Sequence, residues 1–185
     1  MAEGDNGPVL VLADAMADAL SIDKRAQADG SSMGELSFSG TPAEQLAEGP
    51  AVRDALDEAI SDATALAAAE LVGVSDSAFE ITLDYIKTRE QFDKPIGSFQ
   101  VIQHRAVDLN VMREVAQAGV REVLAQMDSE TDPKRRASLA SRAKARAATA
   151  AKKITRDAIQ LHGAVGYTDE FDIGLYLNRA LVLSA

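Results

Sequence analysis

Cations carry most of the chemistry available to this sequence. Nine of them, Lys134, Arg135, Arg136, Arg142, Lys144, Arg146, Lys152, Lys153 and Arg156, fall between Pro133 and Arg156 with no acid among them, in a chain of formal charge −10. A helix carrying these residues presents a positive stripe. Its plain role is a solvated face that meets acids such as Glu114, Glu122 and Asp128, and its chemical role is to turn a few cations toward a polyphosphate. Nucleic acid is not the expected partner, because the net charge opposes it and no aromatic residue lies among the bases to stack on. The absence of Cys removes thiol nucleophiles, thiolate metal sites and disulfides. Two histidines, His104 and His162, are too few for a histidine metal cage and read as structural. Two further stretches combine polar, aromatic and glycine residues: Arg89-Glu90-Gln91-Phe92 and Gln160-Leu161-His162-Gly163-Ala164. By residue type alone, Arg89 pairs with a nearby acid at a solvated helix end. Phe92 anchors packing where the chain turns, and Gly163 is a left-handed cap.

Helices must position these groups. Alanine supplies 34 of the 185 residues and aromatic residues only 4%, so the apolar content is dominated by small side chains that favour helix. The length suits a single core. Before Pro50 the pattern is strand-like: Val9–Leu12 is a short apolar run, Gly34–Gly40 alternates, and Asp29-Gly30 signals a turn between them. From Val52 the apolar residues Ala55, Leu56, Ala59, Ile60, Ala63, Leu66 and Ala67 step at helical intervals and continue through Val74, Ala78, Ile81 and Tyr85, as one long helix or two collinear ones. Asp93–Gly97 interrupts the pattern. A second helix is expected from Phe99 to Gln126, with Ile102, Val107, Val111, Val115, Val120 and Leu124 apolar. A third starts at Asp132-Pro133, buries Leu139, Ala143, Ala147, Ala151, Ile154, Ala158 and Leu161, and ends at His162-Gly163. A fourth covers Asp172–Leu183. The expected fold is mainly α, an antiparallel four-helix bundle over residues 49–185 preceded by a short β remnant over residues 1–48. No run approaches roughly 18 consecutive apolar residues, and the acidic N-terminus lacks a signal-peptide pattern, so a cytoplasmic protein without membrane insertion is expected.

Two segments go beyond periodicity. Tyr85-Ile-Lys-Thr-Arg-Glu-Gln-Phe-Asp-Lys-Pro-Ile-Gly-Ser-Phe-Gln-Val-Ile-Gln-His104 and Ala158-Ile-Gln-Leu-His-Gly-Ala-Val-Gly-Tyr-Thr-Asp-Glu170 together resemble the C-terminal helical domain of the acyl-CoA dehydrogenase family. Its pattern is R-x-Q-F-G-x-P-I, then F-Q-x-I-Q-H, then A-I-Q-L-H-G-G-x-G-Y-T-x-E. The resemblance covers about Ala51 to the C-terminus, and the strand-like segment is similar to the end of that family's middle β-domain. It implies FAD as cofactor, an acyl-CoA substrate desaturated between its α and β carbons, and a flavin bound partly across a subunit interface in a homo- or hetero-oligomer. Carried onto matching positions, Arg89 would meet the FAD pyrophosphate with paired donors. Phe92 would pack near the adenosine, with Gln91 and Gln100 as further hydrogen-bonding residues. Gln160 and the backbone of Gly163 and Ala164 would approach the pyrophosphate, glycine permitting close approach. The ending Leu175-Tyr-Leu-Asn-Arg-Ala-Leu181 resembles members acting on steroid or other bulky acyl-CoA substrates.

The sequence departs from that pattern at three points. Asp93 stands where the family usually has glycine, which predicts weaker anion binding nearby, and Ala164 replaces the second glycine of the pair. The family's proton-abstracting carboxylate is lacking, since the chain stops about two residues short of one customary position. The other aligns near Ala63 and Thr64, and the neighbouring Glu58 and Asp62 point elsewhere around the helix. The expectation is therefore an incomplete dehydrogenase, inactive alone. A helical assembly module or partner subunit of a hetero-oligomeric flavoprotein is the alternative.

Overall fold

The computed structural model describes residues 2–5 and 7–185 and divides into two compact units, Met1–Ile60 and Ser61–Ala185. The first holds strands β1 (Ala2–Gly4), β2 (Gly7–Ala13), β3 (Leu20–Ala26), β4 (Ser32–Phe38) and β5 (Ala43–Glu48). β2 pairs antiparallel with β1 on one side and β5 on the other, while β3 and β4 form a separate hairpin, Leu20 opposite Phe38 and Ala26 opposite Ser32. The turn does fall at Asp29-Gly30. The Asp29 carboxylate accepts from Ser31 N at 3.0 Å and Ser31 Oγ at 2.6 Å, and Gly30 takes φ 81°. The two strands expected from sequence do not pair with each other; each finds a partner too polar to stand out, such as β5, Ala-Glu-Gln-Leu-Ala-Glu. Leu10, Leu12, Leu36 and Phe38 lie exposed on these strands.

The second unit is an antiparallel four-helix bundle. It comprises α1 (Pro50–Thr88, which begins in the first unit), α2 (Gln100–Met127), α3 (Pro133–His162) and α4 (Ile173–Ser184). Between α1 and α2 lie β6 (Glu90–Gln91), β7 (Lys94–Pro95) and a 3-10 turn, Ile96–Ser98; a second 3-10 turn, Gly163–Tyr167, follows α3. The start of α3 is built as its sequence implies: the Asp132 side chain accepts from Lys134 N at 3.1 Å and Pro133 occupies the first turn, where its missing N–H is no loss.

All seven residues expected on the inner face of α3 are buried. α1 and α2 keep part of the expected rows: Val52, Val74, Ala78, Ile81 and Tyr85 of α1 and Ile102, Val120 and Leu124 of α2 are buried or packed against the core. On α1 the buried residues are Val52, Ser61, Ala65, Ala68, Leu71, Ser75, Ala78, Phe79, Thr82 and Ile86, while Leu56, Ile60 and Leu66 face outward. Polar residues are tolerated inside because a buried hydroxyl can bond within its own helix: Ser75 Oγ donates to Leu71 O and Thr82 Oγ1 to Ala78 O, each at 2.7 Å. On α2 the buried residues are Leu109, Ala116, Val120, Val123 and Met127, whereas Val107, Val111 and Val115 are exposed.

The basic stripe finds acids, though not those expected. Arg135 pairs with Glu130 at 3.0 Å, Arg136 with Asp62 at 2.6 Å and Lys153 with Asp157 at 2.6 Å, while Glu114 is taken by Arg113. Among the described residues, no helix is long and apolar enough to cross a membrane.

Ile154 is fully buried between helices. Ile154→Ala should lower the unfolding free energy by about 2–5 kcal/mol through lost transfer energy and a residual cavity. Leu66→Ala on the outward face should change it by no more than about 0.5 kcal/mol, both measured by urea denaturation.

Candidate functional site

At the end of α1 the chain reverses at once. Arg89 N still donates to Tyr85 O, and Ile96 N donates to Arg89 O, both at 2.8 Å, so Arg89, one residue past the end of α1, is the base of the β6–β7 hairpin. Two residues make the hairpin loop, Phe92 at φ 55° and Asp93 at φ 62°. A two-residue loop with both φ positive is the form whose twist matches antiparallel strands, and it favours Gly, Asn or Asp. This explains why a glycine suits position 93, and why Asp, whose short side chain tolerates left-handed backbone, can replace it. Phe92 has no such dispensation and is strained. A Cβ at Gly97 would lie 2.8 Å from Ile86 O, so only glycine lets the exit of the hairpin rest on α1.

α3 ends at a second reversal. Gly163 has φ 67° and ψ −142°, and its N–H donates to Gln160 O. This is not the expected left-handed cap but a region that only glycine occupies readily. His162, just before it, is 3% exposed. Its Nδ1 lies 2.8 Å from Ala158 O, and because a carbonyl only accepts, Nδ1 carries the proton. Nε2 is buried with no hydrogen-bond partner among the described residues. Burial pushes this imidazole below its ordinary pKa, with the Ala158 bond pulling the other way. His104, by contrast, is exposed on α2.

Aromatic contacts join the two reversals. The Tyr85 ring stacks on His162 with centroids 4.3 Å apart and an interplanar angle of 23°, and Phe171 meets Tyr85 edge-on at 5.6 Å and His162 at 4.8 Å. The Tyr85 phenol donates to His162 O at 3.2 Å.

Against this cluster lies a cleft of about 510 Å³, lined by Tyr85, Arg89, Gln91, Ile96, Gln160, Leu161, His162, Gly163, Ala164, Val165 and Phe171. It gathers five of the seven expected site residues: Arg89, Gln91, Gln160, Gly163 and Ala164. Phe92 and Gln100 are not in its lining. Phe92 is no packing anchor, being 85% exposed with only an edge contact to Phe99 at 6.0 Å. Gln100 sits exposed at the first position of α2. Asp93 does not line the cleft, so the charge conflict expected there is not built into its wall. Tyr85 and Phe171 were missed from sequence. Tyr85 was within reach, since it stands four residues before Arg89 and thus on the same helix face.

Arg89 is the one charged side chain in the lining, and its guanidinium has no hydrogen-bond or ion-pair partner among the described residues. Pairing with a nearby acid, the plain expectation for this residue, does not occur. An unpaired guanidinium, an exposed Gln160 amide and a glycine turn, with no carboxylate beside them, form a donor set that suits a phosphate or diphosphate. Gly163 contributes an unobstructed backbone rather than its amide hydrogen. The lining is thus compatible with the pyrophosphate of a dinucleotide.

A helical bundle with a cleft between the ends of two helices is a class of architecture, and similarity to known proteins narrows it. The model of the acyl-CoA dehydrogenase C-terminal domain matches residues 51–185, and the chain belongs to that family. It is 38% identical over 125 residues to acyl-CoA dehydrogenase IpdE2 of Mycolicibacterium smegmatis, covering 67% of this chain and 38% of that protein. Among solved structures it is similar to the Tcur3481-Tcur3483 steroid acyl-CoA dehydrogenase variant, with TM-score 0.81, 32% identity, and coverage of 99% of this chain and 48% of that one. It is also similar to a chain of the ChsE4-ChsE5 complex of Mycobacterium tuberculosis, with TM-score 0.81, 25% identity, and coverage of 100% and 50%. The chain thus spans about half or less of the relatives it matches.

His162 binds its proton less readily when folded than when unfolded, so the unfolded chain holds more protons and stability decreases as the pH is lowered. The loss begins as pH drops through about 6.5 and grows until the folded imidazole itself titrates. Thermal unfolding at pH 7.5 and 5.5 should show a smaller decline in Tm for His162→Phe than for the parent.

Proposed function

We propose that this chain forms one wall of the FAD site in an acyl-CoA dehydrogenase assembly, with Arg89, Gln160 and the Gly163-Ala164 turn holding the pyrophosphate. The observation that carries the reading is the lone, unpaired Arg89 guanidinium in a carboxylate-free cleft with four other motif residues. Arg89 supplies paired N–H donors, Gln160 an amide, and Gln91 a hydrogen-bonding side chain whose amide nitrogen lies 2.8 Å from Glu90 O. Phe92 and Gln100, outside the cleft, are assigned to the adenosine end; an exposed aromatic ring at a hairpin tip is suited to cover an adenine. When bound, FAD supplies the two-electron acceptor for α,β-dehydrogenation of an acyl-CoA thioester.

The proton-abstracting carboxylate is assigned to another part of the assembly. Position 63 is Ala and 64 is Thr, and the adjacent Asp62 is committed to Arg136 at 2.6 Å. A base must come within hydrogen-bond reach of the proton it takes, and a carboxylate tied to a guanidinium is poorly placed to do so. The chain alone is therefore expected to be inactive. Residues 1–48 are read as part of a β-domain completed elsewhere, consistent with apolar side chains left exposed on the strands. The outward rows Leu56, Ile60 and Leu66 on α1 and Val107, Val111 and Val115 on α2 support a homo- or hetero-oligomer. Cytoplasmic lipid metabolism is the setting this reading implies. The alternative, a partner subunit that keeps the bundle without doing chemistry, is favoured by Ala63 and Thr64.

ADP, which carries the diphosphate and adenosine, tests the site by calorimetric titration of the full chain. Arg89→Ala should weaken its binding about tenfold or more, the scale of a lost charge-assisted contact. Unchanged affinity would refute the assignment. Flavin absorbance retained after purification would favour the cofactor-binding reading over the assembly module, and a colourless chain that FAD does not restore would oppose it.

A further inference from the structure

The cleft is made from two helix ends distant in sequence: Arg89 directly follows α1 and Gly163 directly follows α3. The Tyr85 phenol, donating to His162 O at 3.2 Å, is the hydrogen bond that joins them, across 77 residues of chain. The carbonyl it holds belongs to the peptide linking His162 to Gly163, so the phenol acts directly on the turn. The partners on either side of that bond are themselves fixed. Tyr85 precedes Arg89 by four residues on one face of α1, and the Arg89 N–H bond to Tyr85 O at 2.8 Å keeps that turn helical. The His162 ring is held in the last turn of α3 by its Nδ1 bond to Ala158 O at 2.8 Å, and it is stacked flat on the Tyr85 ring.

We propose that Tyr85 is the positioning residue of this cleft: its phenol and ring hold the His162-Gly163 turn at the separation from Arg89 that one diphosphate spans. The inference rests on the reading of the cleft as a diphosphate site. Tyr85 acts through the turn and Arg89 rather than by touching the reacting part of any substrate. The effect on binding is one of geometry, because a guanidinium and a backbone turn engage the same anion only when both are held in place together.

The test uses the full chain with ADP as probe and four proteins: the parent, Tyr85→Phe, Arg89→Ala and the double variant. Tyr85→Phe keeps the stacked ring and removes only the hydroxyl. It should weaken ADP binding about fivefold, the scale of one lost hydrogen bond, and should shift the Gly163 amide resonance in the ligand-free protein. In the Arg89→Ala background the same change should weaken binding by less than about twofold, since there is no longer a guanidinium for the turn to be positioned against. A general loss of packing would not produce that coupling. If Arg89→Ala weakens binding while Tyr85→Phe leaves both affinity and the Gly163 resonance unchanged, the positioning role is wrong and the diphosphate reading stands. Full additivity in the double variant would likewise overturn it. If ADP fails to bind the parent, or binds it and Arg89→Ala equally, the diphosphate reading fails and this inference falls with it.

Discussion

The bundle depends on the alanines of α3. Ala140, Ala143, Ala147, Ala148 and Ala151 face the main core, where they meet Ala65, Ala68 and Leu71 of α1, Val120 and Val123 of α2, and Ala180 of α4. Side chains this small let helix axes approach closely, so dispersion between backbones and short side chains replaces the interlocking of large ones. Each alanine buries little apolar area and adds little hydrophobic free energy by itself. Larger residues carry that load where space allows: Leu71 and Val123 in the main core, Ile154 where α3 nears its end, and Ile173 at the start of α4.

Close packing on alanine also decides what the charges do. With the inner face of α3 so small, its cations are carried outward and the ion pairs lie at the margins. Arg136 reaches Asp62 of α1, Arg179 of α4 reaches Glu70 of α1, and Arg113 of α2 sits against Asp76 and Glu80 of α1. Pairs open to solvent contribute only about 0–1 kcal/mol each. They trim the relative settings of helices whose spacing the core has already set. Arg113 is the most enclosed of these cations: burial weakens its charged form, while Glu114, Glu80 and Asp76 together more than compensate and leave its pKa raised. Its guanidinium also covers the Phe79 ring at 4.7 Å.

This balance explains what was legible in the sequence. α3 was read correctly to the residue, because its inner face is apolar and its outer face charged, and such contrast leaves one phase for the helix. α1 and α2 have the right extent, but part of each expected row faces outward: Leu56 to Leu66 on α1 and Val107 to Val115 on α2. Their outward faces carry Leu56, Ile60, Leu66, Val107, Val111 and Val115, as apolar as the inner ones. Period alone does not choose between two apolar rows, and the inward hydroxyls of Ser75 and Thr82 made the true row on α1 look polar. In the site, motif spacing pointed to five residues of one cleft, but to neither Phe92's exposure nor Tyr85. The exposure of Phe92 follows from which way its side chain leaves the hairpin turn, which a sequence pattern does not carry, whereas Tyr85 was within reach through its four-residue spacing from Arg89.

The site inherits its precision from this arrangement. The cleft lies away from the alanine-packed middle of the bundle, at the ends of α1 and α3. At those ends the backbone must reverse, and each reversal here uses a conformation that ordinary residues avoid: Phe92 at φ 55°, Asp93 at φ 62° and Gly163 at φ 67°. Such backbone persists only where its surroundings over-determine it. For Gly163 the surroundings are the Tyr85, His162 and Phe171 rings; for the hairpin they are the Ile96-to-Arg89 bond and the close seat of Gly97 on α1. The Arg89 guanidinium itself has no hydrogen-bond or ion-pair partner among the described residues, and its backbone follows directly on the last turn of α1. The chain therefore carries this guanidinium one residue past the end of its longest helix, on the wall of a cleft whose lining holds no carboxylate.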